Sequence, residues 1–317
     1  MFNGGLIKIT KISNKFSNIE LTQERQASRI KIVPISADKR SEKNEYVAQR
    51  ARGAYIATIC QPEAAFDLSY AAQTTDIVAE DVKVLNKRLQ WQIDNKSKGL
   101  HFIKLQNVSL SPRSVINMPS SALKLFVFVD SSFANNKDFT SQIGYVIVIA
   151  TETVTHTESS FRNSVDGKKT ITIKGNILHW SSIKCKRVTR SVLASELYAM
   201  VHGFDMGIAL KTTIKRIMKS LSIPLVICTD SRSLYDCLVK LGTTNEKRLM
   251  VDIMCLRQSY EKREITEVRW IDGNTNPADA MTKSKKVCGA LKSLVERNEV
   301  DIETMEWVER ATGIEKV

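Results

Sequence analysis

The chain has 317 residues, 43% of them hydrophobic, which is material for one large or two ordinary packed domains and too apolar for a disordered chain. Its 47 Lys plus Arg against 34 Asp plus Glu give a formal charge of +13, which points to polyanionic partners, nucleic acid first. No apolar stretch approaches the roughly 18 residues of a membrane span, and the N-terminus MFNGGLIKITKISNKF lacks a signal-peptide core, so the sequence predicts no membrane partner and an intracellular place, cytoplasmic or nuclear.

In chain order, the first hundred residues read as a basic segment of mixed structure followed by helices. EYVAQRARGAYIATIC (45–60) and VAEDVKVLNKRLQWQI (78–93) carry apolar residues near helical spacing, with Pro62 closing the first. QNVSLSPRSVINMPSSA (106–122), with two prolines and many Ser and Asn, predicts a linker or domain boundary. Strands then follow at Leu125–Val129, Tyr145–Ala150, Ile177–Ile183, Leu225–Thr229 and Ile265–Ile271, and helices start near Ser191, Ser231, Glu246 and Pro277. A meander followed by alternating helices and strands predicts an α/β unit, a mixed five-stranded sheet covered by helices. The polar stretch 151–176 between the second and third strands predicts an exposed loop or extended hairpin, and the tail from about Val287 predicts one or two amphipathic helices. The six cysteines include no C-x-x-C pair and fall partly in apolar contexts such as LVICTD, which predicts buried free thiols rather than zinc ligands or disulfides.

Four acids stand at comparable places in this pattern. Asp130 ends the apolar run LFVFV, Glu196 lies one turn into the helix of VLASELYAM, Asp230 ends the strand IPLVICTD, and Asp279 follows Pro277 in NPADAM. Singly, each has an ordinary explanation: a turn former, a solvated face charge, an N-cap and a first-turn acid. Jointly they point elsewhere. If the strands ending in Asp130 and Asp230 are neighbours and the Glu196 helix packs over them, all four converge on one sheet edge. Clustered carboxylates repel one another and invite proton uptake or a divalent ion. Magnesium suits an all-oxygen site, and two such ions can activate a water and stabilise the leaving oxygen of a phosphodiester.

FVDSSFANNKDFTSQIGYVIV, NILHWSSIKCKRVTRSVLASELYAM, VICTDSRSLYDCL and NPADAMTK together resemble the ribonuclease H domain that ends copia-type retrotransposon polyproteins. The four blocks keep their order over about half the chain. The resemblance implies a ribonuclease H-like fold over 123–286. It also implies hydrolysis of the RNA strand of an RNA–DNA hybrid with two Mg²⁺, Mn²⁺ substituting, and Asp130, Glu196, Asp230 and Asp279 as the metal-binding carboxylates. RARGAYIATICQPEAAFDLSYAAQT, VLNKRLQWQIDNKSKGLHFIKL and FSNIELTQERQASRI are similar to the thumb and connection of the preceding reverse transcriptase. Residues 1–105 are thus expected to be a partial, mainly helical thumb and connection segment, 106–122 a linker and 287–317 a helical tail, with the upstream polymerase part as a partner. No Asp-Asp pair occurs in the chain, so DNA synthesis is not expected of it. Three departures from the family pattern stand out: Ser131 after the first acid, the stretch after Ala150, and no histidine between Asp230 and Asp279, where many ribonucleases H carry one that aids product release.

Lys184, Lys186, Arg187 and Arg190 precede the Glu196 helix, where the macrodipole disfavours cations, so phosphate contact is a plausible compensation. Trp180 beside them is a candidate for stacking on a base or sugar, or else a core residue. Two further readings stay open: a catalytically inactive nucleic-acid-binding remnant, and a structural connection module of a truncated retroelement.

Overall fold

The computed structural model describes residues 4–13, 16–35, 38–105, 123–154, 169–218, 223–240, 244, 246–284 and 289–309. At its centre β4, Lys124–Ser132, pairs antiparallel with β5, Gln142–Val154, which pairs antiparallel with β6, Lys169–Lys184. On its other side β4 runs parallel to β7, Leu225–Thr229, and β7 parallel to β8, Glu267–Ile271. These five strands form the mixed α/β sheet flanked by helices that the sequence predicts, and a sixth strand joins them at the C-terminus. The polar stretch after Ala150 belongs in its described parts to a long β5–β6 hairpin.

β4 is buried on both faces because each face has its own cover. Leu125, Val127 and Val129 join a core built with Leu197 and Met200 of α5 (Val192–Met218), Leu234 and Leu238 of α6 (Arg232–Val239), and Ile253 and Leu256 of α7 (Met250–Glu261). α5 comes close to the sheet at two glycines. A Cβ on Gly203 would lie 2.7 Å from Val129 Cγ1, and one on Gly207 would lie 2.9 Å from Val127 Cγ2. Gly203→Val should therefore push α5 off the strand and lower the unfolding free energy by about 1–3 kcal/mol, read from urea denaturation midpoints. An unchanged midpoint would show that the helix does not need this close approach.

Phe126 and Phe128 face a second core that unites the sheet with the N-terminal segment. That segment holds α1, Glu24–Ala27, α2, Lys39–Ile59, α3, Ala65–Ala71, and α4, Ala79–Asp94, of which α2 and α4 lie at the two predicted helical stretches. It also holds a three-stranded antiparallel sheet of β1, Leu6–Ser13, β2, Phe16–Thr22, and β3, Leu100–Phe102, which the mainly helical expectation did not include. Ile56, Leu68, Leu85 and Leu89 share the Phe126 core with Trp180 and Leu294. The linker expected at 106–122 lies outside the described residues.

The tail differs from the helical expectation. α8, Gly289–Arg297, ends at Asn298, whose φ of 55° turns the chain, and β9, Glu299–Glu309, follows. β9 pairs with both β6 and β8, so the sheet closes as β4-β5-β6-β9-β8-β7. Val300, Ile302 and Thr304 point inward at period two, the alternation of a half-buried strand. Four charges are enclosed nearby. Arg269, 3% exposed, donates to Glu152 Oε2 at 2.6 Å and to Glu267 Oε2 at 2.9 Å, while Lys124 Nζ reaches Glu152 Oε1 at 2.6 Å and also bonds Glu267. Each charge is paired, which offsets the desolvation that a lone buried ion would suffer. Of the cysteines, Cys60, Cys185, Cys228 and Cys237 are buried free thiols, Cys255 is exposed, and Cys288 lies outside the described residues.

Candidate active site

β4 and β7 are parallel neighbours in register, Val129 opposite Thr229, so the acids that follow, Asp130 and Asp230, emerge side by side at the same end of the sheet. Glu196 comes down on them from the second turn of α5, held there by the close approach at Gly203. One carboxylate oxygen from each of Asp130, Glu196 and Asp230 lies within 4.8 Å of the other two. The convergence depends on strand adjacency, which the sequence could state only as a condition.

The single-residue explanations fail here on particular bonds. The cap of α6 is Ser231, whose Oγ accepts from Leu234 N at 3.4 Å, so Asp230 is not the N-cap that its position suggested. Glu196 is not a solvated face charge, because it is 5% exposed. Asp130 is 1% exposed and lies within a strand rather than in a turn.

Short polar side chains fix the carboxylates. Ser131 Oγ donates to Glu196 Oε1 at 2.7 Å and lies 2.9 Å from Ser195 Oγ. Thr282 Oγ1 donates to Asp130 Oδ2. Glu196 Oε2 is buried with no hydrogen-bond partner. Behind Asp230, a Cβ on Gly273 would lie 3.0 Å from its Oδ2, so that side of the carboxylate is closed.

The fourth acid stands apart from the other three. Asp279 lies in a 3-10 turn, Pro277–Met281, which is anchored by Asn276: its Nδ2 donates to Val129 O at 2.9 Å and its Oδ1 accepts from Ala278 N at 3.1 Å. The turn sits tightly against β5, where a Cβ on Gly144, directly opposite Asp130, would lie 2.3 Å from Met281 Cβ. Asp279 bonds Lys283 Nζ through Oδ1, and the same ammonium lies 3.7 Å from Asp130 Oδ2. Asn276, Thr282 and Lys283 were not singled out from the sequence as site residues, although Thr282 and Lys283 close the motif NPADAMTK.

Burial and like charge set the electrostatics. Burial first, then Asp230, pushes Asp130 up to about 7, against Lys283 and the Thr282 hydroxyl, which pull it down. Burial, then Asp130 and Asp230, holds Glu196 well above the carboxylate range, and burial raises Asp230 as well. Burial alone would lower Lys283, but Asp130 and Asp279 outweigh it and keep the ammonium charged. Without a metal the three acids therefore hold protons more tightly than free carboxylates do, and a divalent ion would favour their release. The orphaned Glu196 oxygen and the all-oxygen donor set fit such an ion.

The basic cluster is more neutral than its sequence suggests. Lys184 pairs with Asp138, and Arg187 reaches Asp252 Oδ2 at 3.0 Å while lying over the Tyr198 ring at 4.9 Å. Lys186 and Arg190 are exposed. Ser191 caps α5 by accepting from Ala194 N at 3.2 Å, which supplies the helix start that the cations do not. Trp180 is corrected from stacking candidate to core residue: it is 8% exposed and its Nε1 donates to Ala57 O at 2.9 Å. The ring is packed between the sheet and α2.

No family model matches the sequence, and no curated protein does. Solved structures similar to the chain include RNase H1 from the halophilic archaeon Halobacterium salinarum, at 14% identity over 54% of this chain and 98% of that one, TM-score 0.33. LC11-RNase H1, solved in complex with an RNA/DNA hybrid, is 16% identical over 53% of this chain and 99% of that one, TM-score 0.34. The N-terminal RNase H domain of a Mycobacterium tuberculosis protein is 15% identical over 51% of this chain and 91% of that one, TM-score 0.33. At these identities and scores the argument for function rests on the site. Among the described residues no helix is long and apolar enough to cross a membrane.

Proposed function

We propose that this chain is a metal-dependent nuclease that hydrolyses the RNA strand of an RNA–DNA hybrid, as the ribonuclease H part of a copia-type retroelement polyprotein. The observation that carries the reading is the convergence of Asp130, Glu196 and Asp230 with one buried, unpartnered Glu196 oxygen. No packing role requires three acids to be held within 4.8 Å of each other at the end of a buried strand pair. Such an arrangement costs stability through repulsion and desolvation unless a cation repays it.

Asp130, Glu196 and Asp230 would hold the divalent ion, which when bound supplies an activated water and charge at the leaving oxygen. The chain's own contribution is orientation. Ser131 turns Glu196 so that Oε1 is satisfied and Oε2 is left for a ligand. Thr282 fixes Asp130 through one oxygen, and Gly273 backs Asp230. Lys286 and its neighbours at 285–288 lie outside the described residues. The exposed Lys186 and Arg190, on the approach to α5, would meet phosphates of the substrate, and the net charge of +13 would draw the polyanion in.

The test is cleavage. Full-length protein with Mg²⁺ or Mn²⁺ is expected to cut the RNA of a labelled hybrid, leave its DNA intact, and fail to extend a primer, since the chain has no Asp-Asp pair. No cleavage with either ion, together with salt-sensitive hybrid binding, would favour the inactive nucleic-acid-binding remnant. Primer extension would overturn the reading of the N-terminal segment.

A further inference from the structure

The ammonium of Lys283 lies between two carboxylates, those of Asp130 and Asp279. It bonds Asp279 Oδ1 and lies 3.7 Å from Asp130 Oδ2, and Asp130 is also one of the three acids, with Glu196 and Asp230, whose oxygens lie within 4.8 Å of one another. Two-ion nuclease centres hold two cations at one acidic cluster, and the Lys283 ammonium is a cation already held at this one through Asp130 and Asp279. We infer that Lys283 is the built-in second cation of this centre, so that the chain binds one divalent ion where four carboxylates would otherwise take two. This rests on the reading of Asp130, Glu196 and Asp230 as a metal centre.

Charge and geometry both favour one ion. With all four acids ionised, Lys283 leaves three negative charges, and one divalent ion reduces them to one. A second ion would make the site net positive beside a fixed ammonium. Magnesium also sheds its water reluctantly, and to reach Asp279 it would have to break a charge-assisted bond already made within four residues of the same turn. Lys283 follows a fixed turn: the one that carries Asp279 is tied to β4 by Asn276 and abuts β5 at Gly144. Its role is positional. It keeps Asp279 out of the metal's coordination and places a fixed positive charge next to the ion.

The experiment counts ions. Full-length wild type, Lys283→Met and Lys283→Arg are titrated with Mn²⁺ by calorimetry, and the bound Mn²⁺ is inspected by electron paramagnetic resonance, with circular dichroism to confirm folding. Wild type and Lys283→Arg are expected to bind one ion with an uncoupled signal. Lys283→Met, nearly the same length without the charge, is expected to bind two ions with a spin-coupled signal. Two ions in wild type would overturn the inference and leave the metal centre standing, and so would a single ion in folded Lys283→Met. No ion in any of the proteins would overturn both. Should Lys283→Met not fold, Lys283→Gln, likewise uncharged, is counted in its place, and a single ion there would overturn the inference.

Discussion

Asp230→Asn is expected to abolish hybrid cleavage while leaving the metal-free protein as stable as wild type or more so. The two effects separate because Asp230 has no capping duty to lose: Ser231 accepts the Leu234 N–H, and Asp230 offers α6 nothing that Asn would fail to supply. Removing one charge from beside Asp130 and Glu196 relieves repulsion that raises both of their proton affinities. With metal the sign reverses. An ion present at about 100 times its Kd stabilises the wild-type fold by roughly 2.7 kcal/mol, and the variant should show little of this. Cleavage should fall by about 10³-fold or more, since a divalent ion supplies several kcal/mol of charge stabilisation to phosphodiester hydrolysis. Thermal melts of both proteins, each with and without Mg²⁺, and hybrid cleavage assays read the outcome. A Mg²⁺-induced shift that survives in Asp230→Asn together with retained cleavage would falsify the assignment.

The acids were legible because each breaks a pattern that is otherwise simple. Asp130 and Asp230 end continuous apolar runs, and a run buried on both faces leaves its end at the edge where a ligand can reach. Glu196 was readable only through the helix start at Ser191. What stayed hidden depends on partners far away in sequence. Nothing in the local run ICTDSRS tells Ser231 from Asp230 as a cap, because both are good N-cap residues and only the backbone at Ser231, φ −80° and ψ 100°, decides. The tail misled through charge. EVDIETMEWVE alternates like a strand, but its acids recur often enough to suggest a solvated helix, and the alternation gains meaning only once β6 and β8 stand ready to pair with it. Arg269 and Glu267 in EVRWI look like the wet face of a strand, yet β9 covers them, and Glu152 and Lys124 from distant strands make burial tolerable. Trp180 belongs to the same class: its place in the core is set by α2, more than a hundred residues earlier. Lys283 was invisible as a site residue because lysine is absent from the donor sets by which metal centres are recognised.

The second large effect is on stability against pH. Metal-free wild type should lose stability relative to Asp130→Asn as the pH rises from about 4 to about 7. Asp130 titrates near 3.8 in the unfolded chain and near 7 in the fold, because burial and Asp230 disfavour its charge. A group raised in this way adds stability that is fully present below its unfolded value and is lost as pH climbs through its folded one. The loss attributable to Asp130 reaches roughly 4 kcal/mol at most. Glu196 and Asp230 are raised too and act in the same direction. Lys283 is raised as well, but its contribution is lost only in the alkaline range, above this window. Glu152 acts oppositely: burial works against its charge, but its bonds to Arg269 outweigh that and lower it, so its contribution grows with pH and is common to both proteins. Taking the difference between wild type and Asp130→Asn removes that shared part. Mg²⁺ should cancel the trend in wild type, because binding expels the retained protons, and its stabilisation should therefore grow from pH 4 to pH 7. Urea denaturation at several pH values, with chelator or with Mg²⁺, measures both quantities. A wild-type minus Asp130→Asn difference that stays flat or rises across the window would mean that the carboxylates are not forced together in the folded protein, and the metal centre would lose its physical basis.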